Sequence, residues 1–218
     1  MGLESLVTYE PTFELLLQAV SELTKRDSSG HDIQHTLRVY EMCKKLGREE
    51  GADMEVLLAS ALLHDIAISE ELELGVDHAE ESALRAEGIL RSIGFPEDKL
   101  SRVIRAIRAH RYGAGIKPES LEAKILQDAD RLDAMGAVGL ARAFAYGGAR
   151  GAKIYDPLES PGEYDPRAVK STITHLQEKL LKLKDSMNTS SARRLAEGRH
   201  SFMVEFLNRF LAEVRGEL

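Results

Sequence analysis

The chain has 218 residues, about 1.5 times a typical domain, which allows one large domain or a domain with an appendage. Its 29 Lys and Arg against 36 Asp and Glu leave a net charge of −7, which argues against a surface built for polymeric nucleic acid. A single cysteine, Cys43, excludes an internal disulfide and any cysteine-rich zinc module, so a reducing, cytoplasmic setting is expected.

Apolar residues recur at helical spacing along most of the chain, while long alternating β-branched runs are absent, so the fold class is all-α. Phe13, Leu16, Leu17, Val20 and Leu23 predict a first helix near 12–25. Further helices are expected near 32–50, 53–66, 77–93, 97–111, 119–146, 167–184 and 190–215. Asp77-His78-Ala79-Glu80 has a capping-box layout, Gly94 closes that helix, and Pro96 opens the next. The stretch 147–166 (GGARGAKIYDPLESPGEYDP) clusters glycines with three of the six prolines, which predicts a loop, either a lid or a linker. The organisation is then residues 1–25 as an N-terminal helix packing on the core and 26–146 as a helical core. The loop or lid follows, and 167–218 are C-terminal helices completing the same domain.

The most apolar stretch, Val56 to Leu63, is far short of a membrane span, and the N-terminus MGLESLVTYEP has no signal-peptide layout. Leu6 also stands where a myristoylation signal places Ser or Thr. No membrane partner is expected.

Two His-Asp dipeptides occur, His31-Asp32 and His64-Asp65, and context separates them. His64-Asp65 ends the apolar run VLLASALL, where two ionisable groups are costly without a positive partner. A divalent cation fits, because imidazole and carboxylate suit Mn, Fe, Zn, Co or Ni and no thiolate is at hand. The bland alternative is a helix-terminal histidine beside a solvated carboxylate. Asp32 reads as an N-cap for the helix that follows, with His31 beside it.

The order His35 in GHDIQHTLRV, His64-Asp65 in ALLHDIA and Asp130 in QDADRLDAMG resembles the HD-domain superfamily of metal-dependent phosphohydrolases. The words DADRLDAMGAVGLARAFAYGG, YDP, EKLLKLKDSMNT and RLAEGRHSFMVEFL resemble one bacterial and archaeal branch of it, from about residue 30 to the C-terminus. The resemblance implies an HD-type helical bundle in which His35, His64, Asp65 and Asp130 hold one divalent ion (Mn, Ni, Co, Mg, Fe or Zn). Such an ion lowers the pKa of water and offsets charge on phosphoryl oxygens. The implied activity is hydrolysis of a phosphoester or phosphoanhydride bond in a small phosphorylated substrate, a nucleotide above all.

Around that quartet, His78 and His110 are candidates for substrate contact or for a second ion, since binuclear HD proteins use histidines in this interval. Glu81 lies three residues past His78 and Asp133 three past Asp130; both are candidate proton-transfer or water-positioning carboxylates. Arg38 is one turn beyond His35, and Lys153, Lys179 and Lys182 are candidate phosphate ligands, the alternative being a solvated helix face. Tyr112, Tyr146 and Tyr155 are the candidate stacking rings, packing being the alternative. Phe202, Phe206 and Phe210 give the last helix an apolar stripe for core packing or a homodimer seam. Two other readings share the fold: an HD di-iron oxygenase, and a non-catalytic ligand-sensing HD module.

Overall fold

The computed structural model describes residues 10–23, 33–111, 115–165 and 168–218. Among the described residues there are ten α-helices and no strand, as the apolar periodicity predicts. No helix among them is long and apolar enough to cross a membrane. The chain divides into two compact units, Met1–Ala129 and Asp130–Leu218.

The first unit carries α1 (Glu10–Leu23), α2 (Ile33–Glu50), α3 (Met54–Leu63), α4 (Ile68–Leu74), α5 (His78–Ser92), α6 (Glu97–Ala109) and most of α7 (Leu121–Asp133). Its centre is α3, where every residue from Val56 to Leu63 is buried. A helix apolar on all sides must be surrounded, and α1, α2, α5 and α6 pack around it. The one hydroxyl in the run is satisfied locally, Ser60 Oγ donating to the Val56 carbonyl at 2.7 Å.

Both ends of α3 are pinned. Asp53 caps its start, accepting from the Glu55 and Val56 amides at 3.2 and 3.4 Å. The same carboxylate takes Lys99 Nζ at 3.2 Å and Arg102 Nη1 at 2.9 Å from α6, and the Asp53 amide donates to Glu122 at 3.0 Å. At the other end the helix stops at Leu63 rather than 66. The chain turns through His64–Ala67, and the Ala67 amide donates to Ser82 Oγ of α5 at 3.1 Å. The seven-residue α4 that follows has no counterpart among the predicted helices; its sequence ISEELEL has too few turns to show a period. Asp77 caps α5 as its layout predicts, and Gly94, at φ 71°, ends the segment before α6.

The second unit holds the end of α7, α8 (Gly136–Ala149), α9 (Thr172–Glu178), a 3₁₀ segment (Leu180–Ser186) and α10 (Ser190–Val214). The single helix expected over 119–146 is two. Gly136, at φ 71°, takes a left-handed conformation that breaks the helix although the apolar spacing continues through it. α8 also runs past the expected loop start, through Gly147 and Gly148 to Ala149. The loop that follows is fastened along its length: Lys153 and Ile154 carbonyls accept from the Thr172 and Ile173 amides at 2.9 and 3.1 Å, and Glu159 accepts from the Ser171 amide at 3.0 Å. The helix expected over 167–184 is cut at Glu178, where the tighter 3₁₀ repeat aligns Leu180 and Leu183, both buried, on one side. In α10, Phe206 packs on Phe144 with ring centroids 5.9 Å apart, and Phe210 on Tyr155 at 6.1 Å. Phe202 stays exposed.

Two substitutions test this packing. Burial raises the Asp53 pKa, but Lys99, the α3 amide of Val56 and Arg102 outweigh it and hold the carboxyl below the usual range. A depressed carboxyl contributes stability above its unfolded value, about 3.9, that is lost as pH falls through the folded value. Asp53→Ala should therefore cost about 1–2 kcal/mol in urea unfolding at pH 7, and the gap from wild type should narrow in acid. Gly139→Ala should lower stability by about 1–3 kcal/mol despite better helix propensity. A Cβ there would stand 2.3 Å from the carbonyl carbon and oxygen of Ala134, backbone atoms that cannot move aside, and a thermal melt reads the loss.

Candidate metal centre

Four helices of the first unit bring five ionisable side chains together. His35 comes from the first turn of α2, His64 and Asp65 from the end of α3, His78 from the first residue of α5, and His110 from the residue that ends α6. All five are buried. Asp65 Oδ2 lies 3.5 Å from His35 Nε2 and 3.4 Å from His64 Nε2, and those nitrogens are 3.3 Å apart. Asp65 Oδ1 lies 3.2 Å from His110 Nε2 and 3.6 Å from His78 Nε2, again with 3.3 Å between the nitrogens. One carboxylate thus faces two imidazole pairs, one pair on each oxygen.

The far side of the rings fixes which nitrogen carries the hydrogen. His64 Nδ1 donates to the Ala61 carbonyl at 2.8 Å and His110 Nδ1 to the Ile107 carbonyl at 2.6 Å. His78 Nδ1 pairs with the Glu71 carboxylate. Each of these rings, when neutral, turns an Nε2 lone pair toward a carboxylate oxygen, acceptor against acceptor. Burial favours the neutral form: it is the largest influence on His78, with Asp65 opposing and His110 adding to it, and the net pKa lies below the usual histidine value. A cation between the lone pairs resolves the conflict, and N/O donors of this type suit a divalent transition metal. His64, Asp65 and His110 present ligand atoms within 4.8 Å of one another. The residues therefore fit a metal ion.

The HD-domain family matches residues 32–135. The chain is 35% identical over 204 residues to YpgQ of Bacillus subtilis, covering 90% of this chain and 91% of that protein. A crystal structure of an HD-superfamily hydrolase from Bacillus thuringiensis is 36% identical, with a TM-score of 0.76 over 95% of this chain and 99% of that one. The chain belongs to the HD-superfamily hydrolases. A crystal structure of YpgQ in complex with ADP is also similar to this HD protein, at 32% identity and a TM-score of 0.75 over 93% of this chain and 98% of that one.

The remaining residues singled out in the sequence have varied surroundings. Asp130 is half-buried in α7, at the start of the second unit. Asp133 is buried and accepts from Arg142 Nη1 at 2.6 Å. Glu81 accepts from Arg85 Nε at 3.1 Å, and Arg85 also pairs with Glu70 at 2.8 Å. Arg38 is half-buried on α2. Lys153 is exposed and tied to Asp156 at 2.7 Å, Lys179 lies 5.1 Å from the centre of the Tyr164 ring, and Lys182 is exposed. His31, Asp32 and Tyr112 lie outside the described residues.

Sequence reasoning missed Glu71 of α4. Its carboxylate holds His78 Nδ1 and also accepts from Arg111 Nη2 at 2.6 Å, while Arg111 Nη1 donates to the capping Asp77 at 2.8 Å. Nothing marks Glu71 within an acidic stretch seven residues from its histidine; only the packing of α4 on α5 reveals it. Glu71→Ala should abolish the low-field imidazole N–H resonance of His78 in NMR spectra while those of His64 and His110, held by backbone carbonyls, persist.

Proposed function

We propose that this HD hydrolase is a metal-dependent phosphohydrolase acting on a phosphoester or phosphoanhydride bond of a nucleotide. The observation that carries the reading is the buried Asp65 carboxylate with an imidazole pair at each oxygen. In this reading His35, His64 and Asp65 hold the first divalent ion, with Asp130 as the fourth ligand that the resemblance implies. His78 and His110, on the other oxygen of Asp65, offer a second position. An ion held there lowers the pKa of water and offsets charge developing on phosphoryl oxygens.

The protein's own share is orientation and dryness. The Ala61 and Ile107 carbonyls keep the Nδ1 hydrogens of His64 and His110 turned away, so each Nε2 stays available. Burial of all five groups removes the water that would otherwise weaken their hold. Glu81 and Asp133 are the carboxylates proposed for proton transfer or water positioning, each with an arginine beside it. Arg38, Lys153, Lys179 and Lys182 are the proposed phosphate ligands. A nucleotide is favoured because the related YpgQ was crystallised with ADP. The paired arrangement around Asp65 also supports the second reading, a di-iron oxygenase.

Phosphate release from a nucleotide panel, measured with each of Mn, Ni, Co, Mg, Fe and Zn, decides between them. His64→Ala and Asp65→Ala should each lower release by more than about a hundredfold, since loss of an outer partner alone costs about 10–100-fold in such sites. Release unaffected by both substitutions overturns the phosphohydrolase. Two irons per chain with oxygen consumption and no phosphate release would establish the oxygenase instead.

A further inference from the structure

A cleft opens in the second unit between the C-terminal half of α8, the loop before α9, and α9 itself. Gly147 lets these parts meet, because a Cβ there would stand 2.5 Å from Thr172 Oγ1. Most of the charge on the cleft wall is matched internally. The buried Glu178 carboxylate accepts from Lys170 Nζ at 2.5 Å and from the Gly162 amide at 2.7 Å. Arg150 lies over the Tyr146 ring, 5.5 Å from its centre, and donates to that tyrosine's hydroxyl at 2.8 Å.

Two neutral groups on one face of α9 are different. Thr172 and His175 both line the cleft, three residues apart, and neither side chain has a hydrogen-bond partner among the described residues. Burial, with Lys179 adding to it and Glu178 opposing, pushes the His175 pKa down to about 4. The imidazole is then uncharged at neutral pH and offers one donor and one acceptor; the Thr172 hydroxyl offers the same pair. Phosphate oxygens need donors and positive charge. Mixed donors and acceptors, aromatic rings of Tyr146 and Tyr164, and the small apolar walls of Ala143 and Val169 suit the edge and face of a heteroaromatic ring instead.

We propose that this cleft binds the base of a purine nucleotide, with Thr172 and His175 reading its hydrogen-bonding edge and the tyrosines meeting its face. The proposal rests on the nucleotide reading above. It is tested with adenosine, which carries no phosphate, on the full metal-loaded chain. Saturation-transfer NMR should show the H2 and H8 protons of adenosine in closest contact with the protein. Thr172→Val combined with His175→Leu should weaken adenosine binding by about tenfold for each hydrogen bond lost. Tyr146→Leu, at an exposed position that leaves the fold intact, should weaken it as well, and inorganic pyrophosphate should not displace adenosine. Failure of adenosine to bind, equal binding by all variants, or displacement by pyrophosphate would overturn the proposal. Phosphate release and its dependence on His64 are measured on the same samples. Release retained without base binding removes only the cleft assignment, and base binding retained without release removes only the hydrolase.

Discussion

The first unit is organised around a negative charge that has no business in an apolar interior. Asp65 follows the most deeply buried helix of the chain, and its two oxygens look onto four imidazoles rather than onto water. A carboxylate in that position is tolerable only with compensating positive charge, and removing the surrounding groups one at a time would leave the rest more costly than before. Local hydrogen bonds keep the imidazoles from meeting the demand by turning their own N–H groups inward. The backbone carbonyls of α3 and α6 and the carboxylate of Glu71 claim the Nδ1 hydrogens of three rings. The chemistry therefore follows from a packing decision: helix ends converge, carbonyls orient rings, and an acceptor-rich pocket remains.

Precision at that pocket depends on α3 being unable to slide. Its start is held by Asp53 within a network of Lys99, Arg102 and Glu122, and its end by the turn that Ser82 secures. These contacts lie a full helix length from one another, yet both fix the axial position from which His64 and Asp65 project.

Much of this was legible in the sequence because it is local or periodic. Helical spacing gave the fold class, Asp77 announced α5, and a His-Asp pair at the end of an apolar run pointed to a charge needing a partner. His78 and His110 stood out as histidines at helix ends, and the structure brings both to Asp65. What escaped is tertiary. α4 is too short to show a period, so Glu71 was invisible. The break at Gly136 hides within uninterrupted apolar spacing and shows only as a backbone angle. Gly147 and Gly148 read as loop residues, whereas α8 runs through both, with Gly147 packed closely against Thr172. The cleft beside α9 escaped as well, since only the folded chain brings Thr172 and His175 to one wall with Tyr146 and Tyr164.

The all-round enclosure of α3 bears on how such a chain can diverge. Eight successive positions are buried, so inherited change there is confined to exchanges that conserve volume and leave His64 and Asp65 where they are. New selectivity must then be written elsewhere. The exposed positions of the loop after α8 tolerate replacement far more readily, and there descendants of one ancestral scaffold are free to acquire different tastes.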